Sequence, residues 1–184
     1  LHCHFATRSL ETWPKRAEGM LKLVKTYFDA PPEFISLGGG LFGKMGESFK
    51  KQFDVDIPDY KQYADAIAPL FKDYFSDIET NKQPKLILEP GSALVGDAMK
   101  FAARVINIKN IRGKSIATLA GSIYNINPTL NKKNPPITIY HDGNSLYQQK
   151  VYSNLDFGGY TCIETDYLYR EFNGKLAVGD FAVF

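Results

Sequence analysis

The chain has 184 residues and a formal net charge of +2, with 44% hydrophobic and 23% charged residues. This length can bury a substantial hydrophobic core, and so small a net charge gives no support for nucleic acid or an anionic membrane as a partner. No apolar run approaches the roughly 18–20 residues of a membrane-spanning helix. Cys3 and Cys162 lie far apart in the sequence and form no CxxC pair, which suits a reducing compartment. We therefore expect a cytoplasmic protein that binds neither nucleic acid nor membrane.

Strands and helices alternate over residues 1–96. The segment "LHCHF" is a short apolar strand candidate, and hydrophobic residues then recur at helical spacing from Pro14 to Phe28. "FISLGGG" predicts a second strand, a helix is expected over residues 59–78, and "KLILEPG" predicts a third strand. Strands that alternate with helices are typical of a parallel α/β sheet or barrel.

Residues 97–184 have a different pattern, in which short apolar segments are separated by turns containing glycine and asparagine. The stretch "FAARVINIKNIRGKSIATLAGS" predicts two strands joined at Arg112–Gly113. This part is therefore predicted to be a separate all-β domain. The chain starts and stops in strand-like apolar residues, so we expect a segment of a longer polypeptide.

The carboxyl ends of the three strands predicted in the first part carry chemically distinct residues. They are His4 with Thr7, then Gly38, Gly39 and Gly40, and then Glu89 with Gly91 and Ser92. In a parallel barrel such strand ends face one common site. Glycine backbone N–H groups can approach a phosphate, hydroxyl groups can donate to it, and an imidazole can lie over a flat ring. A carboxylate can hold a ring nitrogen in its protonated form, so the set matches pyridoxal phosphate.

Each of these motifs also has a simpler interpretation. Three glycines are often only a loop, Glu-Pro-Gly is a common turn, and His2-x-His4 is usually structural. Zinc requires more ligands than the chain offers, since His141 is the one other histidine. We therefore predict no metal site. The order of the three motifs along consecutive βα units favours a single cofactor site.

A longer ordered set of motifs resembles the fold type III pyridoxal-phosphate decarboxylases, the diaminopimelate/ornithine/arginine decarboxylase family. The set consists of "HCHFAT", "LGGGLFG", "EPGSALVGDAM", "GGYTCIETDYL" and "VGDFAVF". The resemblance implies an α/β fold in which residues 1–96 form about strands six to eight of a TIM-type (β/α)8 barrel. Residues 97–184 would then belong to an incomplete all-β C-terminal domain. It also implies pyridoxal 5'-phosphate as cofactor, an amino-acid substrate, and a homodimer with a shared active site.

The resemblance also assigns roles to single residues. It implies that His4 stacks on the cofactor ring, that Thr7 takes the place of a phosphate-binding serine, and that Glu89 pairs with the ring nitrogen. It places Gly38, Gly39, Gly40, Gly91 and Ser92 around the phosphate. Cys162 falls on the cysteine that protonates the substrate carbon after carbon dioxide leaves, in the partner subunit's site. The lysine that holds the cofactor in this family has no counterpart here and is expected upstream of Leu1.

The chain departs from the family pattern at two informative positions. Ser92 replaces the arginine of an E-P-G-R motif, which leaves Arg8 as a possible substitute cation, although a solvated arginine is the simpler interpretation. Ile163 replaces a substrate-binding acid, so Glu164 and Asp166 become the candidate substrate-binding residues. These changes keep two alternatives open: a racemase or other amino-acid enzyme on the same fold, and a non-catalytic homologue that acts by binding proteins.

Overall fold

The structure, a computed structural model, describes residues 1–127, 133–143 and 146–184. It contains two compact units. The first, called here the α/β unit, comprises Leu1–Met45 and Phe53–Ala98, and the second, the sheet unit, comprises Gly46–Gln52 and Met99–Phe184. The sequence pattern places a division at residues 96–97, but it gives no sign that Gly46–Gln52 groups with the later residues.

The helices and strands of the described residues are as follows. In chain order they are α1 (Thr12–Tyr27), β1 (Phe34–Ser36), α2 (Glu47–Lys50), α3 (Tyr60–Tyr74), a 3-10 turn (Thr80–Lys82), β2 (Lys85–Ile87), α4 (Ser92–Val95), β3 (Ala102–Ile111), β4 (Lys114–Leu119), α5 (Ile123–Ile126), β5 (Thr138–Tyr140), β6 (Lys150–Gly158), β7 (Tyr167–Leu176) and β8 (Phe181–Val183). None of the helices in these ranges is both long enough and apolar enough to cross a membrane.

The α/β unit is built around a small parallel sheet. β1 and β2 pair in parallel, with Ile35 opposite Leu86, as the sequence pattern predicts. The first residues join the other edge of β1, because Cys3 N donates to Ser36 O at 3.0 Å and Ser36 N donates to Leu1 O at 2.8 Å. This parallel pairing brings the carboxyl ends of all three segments to the same edge.

Two amphipathic helices cover this sheet. α1 buries one face, and its Trp13 ring is fully buried and meets the Tyr63 ring of α3 edge-on, with centroids 5.5 Å apart. The first turn of α3 is fixed by a capping box: the Asp59 side chain accepts from Gln62 N, and the Gln62 side chain accepts from Asp59 N. Both helices therefore pack their apolar residues against Ile35 and its neighbours.

The sheet unit contains a six-stranded sheet in the order β5-β8-β3-β4-β6-β7. The β4–β6 pair is parallel, and the other neighbouring pairs are antiparallel. The predicted turn between β3 and β4 is confirmed, with Arg112 and Gly113 at φ values of 52° and 86°. The larger side chains of its buried core come from β3, β4, β6 and β7 and are Val105, Leu119, Leu155, Phe157, Leu168 and Leu176.

Asp180, immediately before β8, is a buried carboxylate whose donors come from three segments of the sheet unit. Its side chain is 0% exposed and faces His141 Nδ1 at 2.6 Å, and it accepts from Ala177 N at 2.8 Å and Gln149 Nε2 at 3.2 Å. Burial by itself raises the pKa of Asp180, but these hydrogen bonds outweigh burial and leave the pKa below its ordinary value. The carboxylate therefore ties together the loops around β8.

Replacing Asp180 by asparagine should lower the free energy of unfolding by roughly 1.5–3 kcal/mol at pH 7, the range for a hydrogen bond to a charged group. The pKa of Asp180 is lower in the folded state, so its stabilisation is complete above the unfolded pKa of about 3.9 and is lost as the pH falls toward the folded pKa. Urea unfolding of the full-length protein between pH 7 and pH 3 measures this, with the exposed Asp77→Asn as control. A loss that is equal at all pH values would contradict the assignment.

Candidate active site

Glu89, two residues beyond β2, is the centre of a cluster at the carboxyl edge of the parallel sheet. Its Oε1 accepts from Ser36 Oγ at 3.0 Å and lies 3.0 Å from His2 Nε2, while its Oε2 lies 3.0 Å from His4 Nδ1. The contacts with His4 and Ser36 lower the pKa of Glu89 below its ordinary value. The side chain is 41% exposed, so it is an ionised carboxylate that is both held in place and accessible.

The His4 imidazole is held between this carboxylate and the glycine loop. Its Nδ1 lies 3.0 Å from Glu89 Oε2 and 3.4 Å from the amide nitrogen of Gly39. A Cβ atom added to Gly39 would lie 2.9 Å from His4 Cε1, closer than real contacts allow. Glycine at residue 39 therefore makes room for the imidazole, and the backbone bond from Glu89 N to Gly38 O, 2.9 Å long, connects the two strand ends.

The glycine loop after β1 has a backbone that other residues cannot adopt without strain. Gly38 and Gly40 have φ values of 67° and 87°. A Cβ atom at Gly38 would lie 2.3 Å from Cys3 O, and one at Gly40 would lie 2.3 Å from Phe5 O. The loop therefore packs directly against the backbone of the first residues, next to His4.

The remaining predicted residues of this unit are also placed near strand ends. Thr7 is exposed and follows His4 in the first segment. Gly91 and Ser92 are exposed, Gly91 has a φ of 50°, and Ser92 begins the short helix α4. These positions follow from the sequence order, and their contact with a phosphate is a prediction.

One residue of this region was missed by the sequence analysis. Arg16 is buried, and its guanidinium donates to Leu37 O at 2.9 Å, Gly39 O at 2.6 Å and Thr7 O at 3.2 Å. The signal for it was present: Arg16 lies three residues after Trp13 and four before Met20, on the apolar face of an amphipathic helix. A charge on that face has to be paired, because an unpaired buried charge is strongly unfavourable.

His2 was likewise treated as part of a structural strand, yet it contacts the central carboxylate. One donor atom of each of His2, His4 and Glu89 lies within 4.8 Å of the others, a spacing that could hold a metal ion. Their contacts with one another account for the spacing without an ion. The prediction of no metal site stays a prediction.

The predicted residues of the sheet unit lie in the connection between β6 and β7. Cys162 and Glu164 are exposed, whereas Asp166 is buried. The Asp166 carboxylate accepts hydrogen bonds from the Ser122 hydroxyl at 2.9 Å, from the Ile123 amide at 2.7 Å, and from the Thr161 hydroxyl at 2.6 Å and amide at 3.2 Å. Burial by itself raises the pKa of Asp166, but these bonds outweigh it and lower the pKa. Asp166 therefore fixes the loop that carries Cys162.

The comparison with known families decides what this set of residues belongs to. The family model described as "Pyridoxal-dependent decarboxylase, C-terminal sheet domain" matches residues 23–184. The chain belongs to this family of pyridoxal-dependent decarboxylases. The membership inferred from the ordered motifs is thereby confirmed, as is the C-terminal sheet domain.

Comparison with individual pyridoxal-dependent decarboxylases shows what share of a relative's length this chain spans. It is 37% identical over 89 residues to the diaminopimelate decarboxylase of Methanothermobacter thermautotrophicus (strain Delta H), a match of 48% of this chain and 19% of that protein. The structure of M. jannaschii diaminopimelate decarboxylase in co-complex with L-lysine has a TM-score of 0.72 at 24% identity. The match covers 99% of this chain and 40% of that decarboxylase chain. The arginine decarboxylase of Paramecium bursaria Chlorella virus, bound to agmatine, has a TM-score of 0.71 at 19% identity. That match covers 100% of this chain and 46% of the viral enzyme chain. These structures share the fold, and the chain spans less than half of their length.

Proposed function

We propose that the full-length protein that carries this chain is a pyridoxal-phosphate-dependent amino-acid decarboxylase. The observation that carries the proposal is the ionised Glu89 carboxylate, held by His4 and Ser36 beside the glycine loop. A carboxylate opposite a ring nitrogen favours its protonated form. A protonated ring is what a carbanion-stabilising cofactor requires.

The described residues fit pyridoxal phosphate. Gly40 N–H and the hydroxyl groups of Thr7 and Ser92 would hold the phosphate beside Gly38 and Gly39, whose amide nitrogens lie 3.2 Å from Ser36 Oγ and 3.4 Å from His4 Nδ1. His4 would stack on the ring, and Glu89 would pair with the ring nitrogen. Backbone N–H and hydroxyl donors suit a phosphate, and the loop itself requires glycine because added Cβ atoms would collide with the backbone of the first segment and of Glu89. When bound, the cofactor would supply the electron sink for the cleavage of the bond to the carboxylate.

The chain's own side chains have separate tasks in this proposal. Ser36 and His2 hold the Glu89 carboxylate in place, and the lowered pKa of Glu89 keeps it ionised at neutral pH. Cys162 would hold a proton at Sγ for the substrate carbon once carbon dioxide has left. The Asp166 carboxylate already accepts four hydrogen bonds, so we assign the substrate contact to the exposed Glu164.

The proposal extends to architecture and assembly. Residues 1–96 would be the last βα units of a (β/α)8 barrel, since structures of complete relatives superpose on 99–100% of the chain. Cys162 would act in the site of a second subunit of a cytoplasmic homodimer. The supporting argument is the family membership, together with the exposure of Cys162 and Glu164 in this chain.

The test is release of carbon dioxide by the full-length protein supplied with pyridoxal phosphate. The substrates are carboxyl-labelled diaminopimelate, lysine, arginine and ornithine, each measured for labelled gas and for product. We expect release of labelled carbon dioxide from at least one of them. Inversion of the α-carbon without gas would indicate the racemase alternative. A folded protein that retains no cofactor would indicate the non-catalytic homologue.

A further inference from the structure

We propose that Arg16 is a positioning residue for the phosphate-binding loop. Its guanidinium would orient the loop backbone and place a positive charge on the side of the loop that faces away from the phosphate. The ligand class is a phosphate ester, and the inference rests on the proposed function because it names the group that prepares the same site. Arg16 would not touch the ligand. It would act through the backbone of the glycine loop and of the segment that carries Thr7.

The first support is the geometry of the guanidinium. One nitrogen, Nη1, donates to Leu37 O at 2.9 Å and to Gly39 O at 2.6 Å, and Nη2 donates to Thr7 O at 3.2 Å. The planar fork of arginine thus joins two segments that are thirty residues apart in sequence. A lysine ammonium group, which is a point donor on a flexible stem, could not reproduce this fixed three-way connection.

The second support is that the guanidinium itself is fixed. Arg16 is 7% exposed, and its guanidinium carbon lies 4.2 Å from the centre of the Trp13 ring and 5.2 Å from the centre of the Phe5 ring. A charge that lies close to two aromatic rings and donates to three carbonyl groups has little freedom to move. It can therefore impose one conformation on the loop.

The third support is the direction of the peptide groups. In a trans peptide the carbonyl and the following N–H point in opposite directions. The Gly39 carbonyl points toward Arg16, so the N–H of Gly40 points away from it. The Leu37 carbonyl is held in the same way, and the N–H of that peptide, on Gly38, donates to Ser36 Oγ at 3.2 Å. Ser36 Oγ donates in turn to Glu89, so Arg16 also supports the carboxylate side of the site.

The fourth support is charge. Ser92 replaces the arginine of the E-P-G-R motif that the resemblance to the decarboxylases implies. This chain therefore has one cation fewer on that side of the loop. Burial lowers the pKa of the Arg16 guanidinium, which stays protonated at neutral pH because the ordinary pKa of arginine lies far above 7. Its charge lies one peptide group away from the loop that would receive the phosphate. In a partly buried setting such a charge is weakly screened.

The experiment compares two ligands that differ only in the phosphate. Pyridoxal phosphate and pyridoxal are titrated into the full-length apoprotein and followed by absorbance and tryptophan fluorescence. The variants are Arg16→Met, Arg16→Lys and Arg8→Met, with Lys15→Met, on the exposed face of the same helix as Arg16, as the matched control. Circular dichroism and the thermal midpoint report folding.

We expect Arg16→Met to weaken pyridoxal phosphate binding roughly 10- to 100-fold, the effect of losing a hydrogen bond to a charged group, while pyridoxal binding changes less than about twofold. Arg16→Lys should show a smaller loss with the same selectivity for the phosphate, and it carries the test if Arg16→Met does not fold. Lys15→Met should bind both ligands normally.

Three results would overturn the inference. Equal weakening of both ligands by Arg16→Lys would make Arg16 a core-packing residue. Unchanged binding in both Arg16 variants would remove any role in the site. A phosphate-selective loss in Arg8→Met but in neither Arg16 variant would assign the cation to Arg8. A wild-type protein that binds neither ligand would instead contradict the proposed function, so the two failures are distinguishable.

Discussion

Replacing Glu89 by glutamine should lower the kcat of the full-length protein by roughly 10²- to 10³-fold, the size expected for one electrostatic group of an active site. Glutamine keeps the shape and the hydrogen bond from Ser36 but removes the negative charge that would hold the ring nitrogen protonated. The affinity for pyridoxal phosphate should change by only a few-fold, because the phosphate and ring contacts remain. The effect should therefore appear in rate far more than in cofactor binding.

Steady-state kinetics and cofactor titration on the same preparation measure both quantities. The exposed Glu79→Gln, which lies away from the strand-end cluster, is the matched control. The Glu89 carboxylate should also stay ionised as the pH falls toward the ordinary glutamate pKa, since the Glu89 pKa lies below that value. Normal turnover by Glu89→Gln would remove Glu89 from the proposed chemistry.

Replacing Cys162 by alanine should slow product formation by roughly 10²- to 10⁴-fold, the contribution typical of a positioned proton donor. Cofactor affinity should stay at the wild-type value, because Cys162 is exposed in a loop of the sheet unit. Product analysis should show that carbon dioxide release and formation of the correctly protonated product no longer match one to one.

Thr165→Ala, an exposed change in the same loop, is the control for a general disturbance of the connection. Cys162→Ser should keep part of the activity, since a hydroxyl can still carry a proton. A Cys162→Ala protein that loses cofactor and activity in equal measure would show that the cysteine packs the loop instead of donating a proton.

The sequence predicts well those features that depend on local pattern. The alternation of strands and helices places His4, the glycine loop and Glu89 at three successive strand ends, and parallel pairing brings strand ends together. The turn at Arg112–Gly113 also follows from local residue preference. In both cases neighbouring residues contain the whole signal.

The features that the sequence pattern does not predict depend on contacts between residues that are distant in sequence. Asp166 was a candidate substrate ligand because it lies close to Ile163, which replaces the acid of the family pattern, but its partners Ser122 and Ile123 are more than forty residues away. Arg16 could be identified as unusual on an apolar helix face, yet its carbonyl partners come from loops whose course the pattern does not give. The grouping of Gly46–Gln52 with the sheet unit is of the same kind.

The central claim is that this chain supplies the ring-nitrogen and phosphate contacts of a pyridoxal-phosphate enzyme. It is tested most directly by the intact mass of the full-length protein after incubation with pyridoxal phosphate and reduction with borohydride. The account predicts a mass gain of one phosphopyridoxyl group per chain, and free pyridoxal should give the lighter pyridoxyl adduct only at higher concentration. A folded protein whose mass is unchanged at saturating pyridoxal phosphate would contradict the claim.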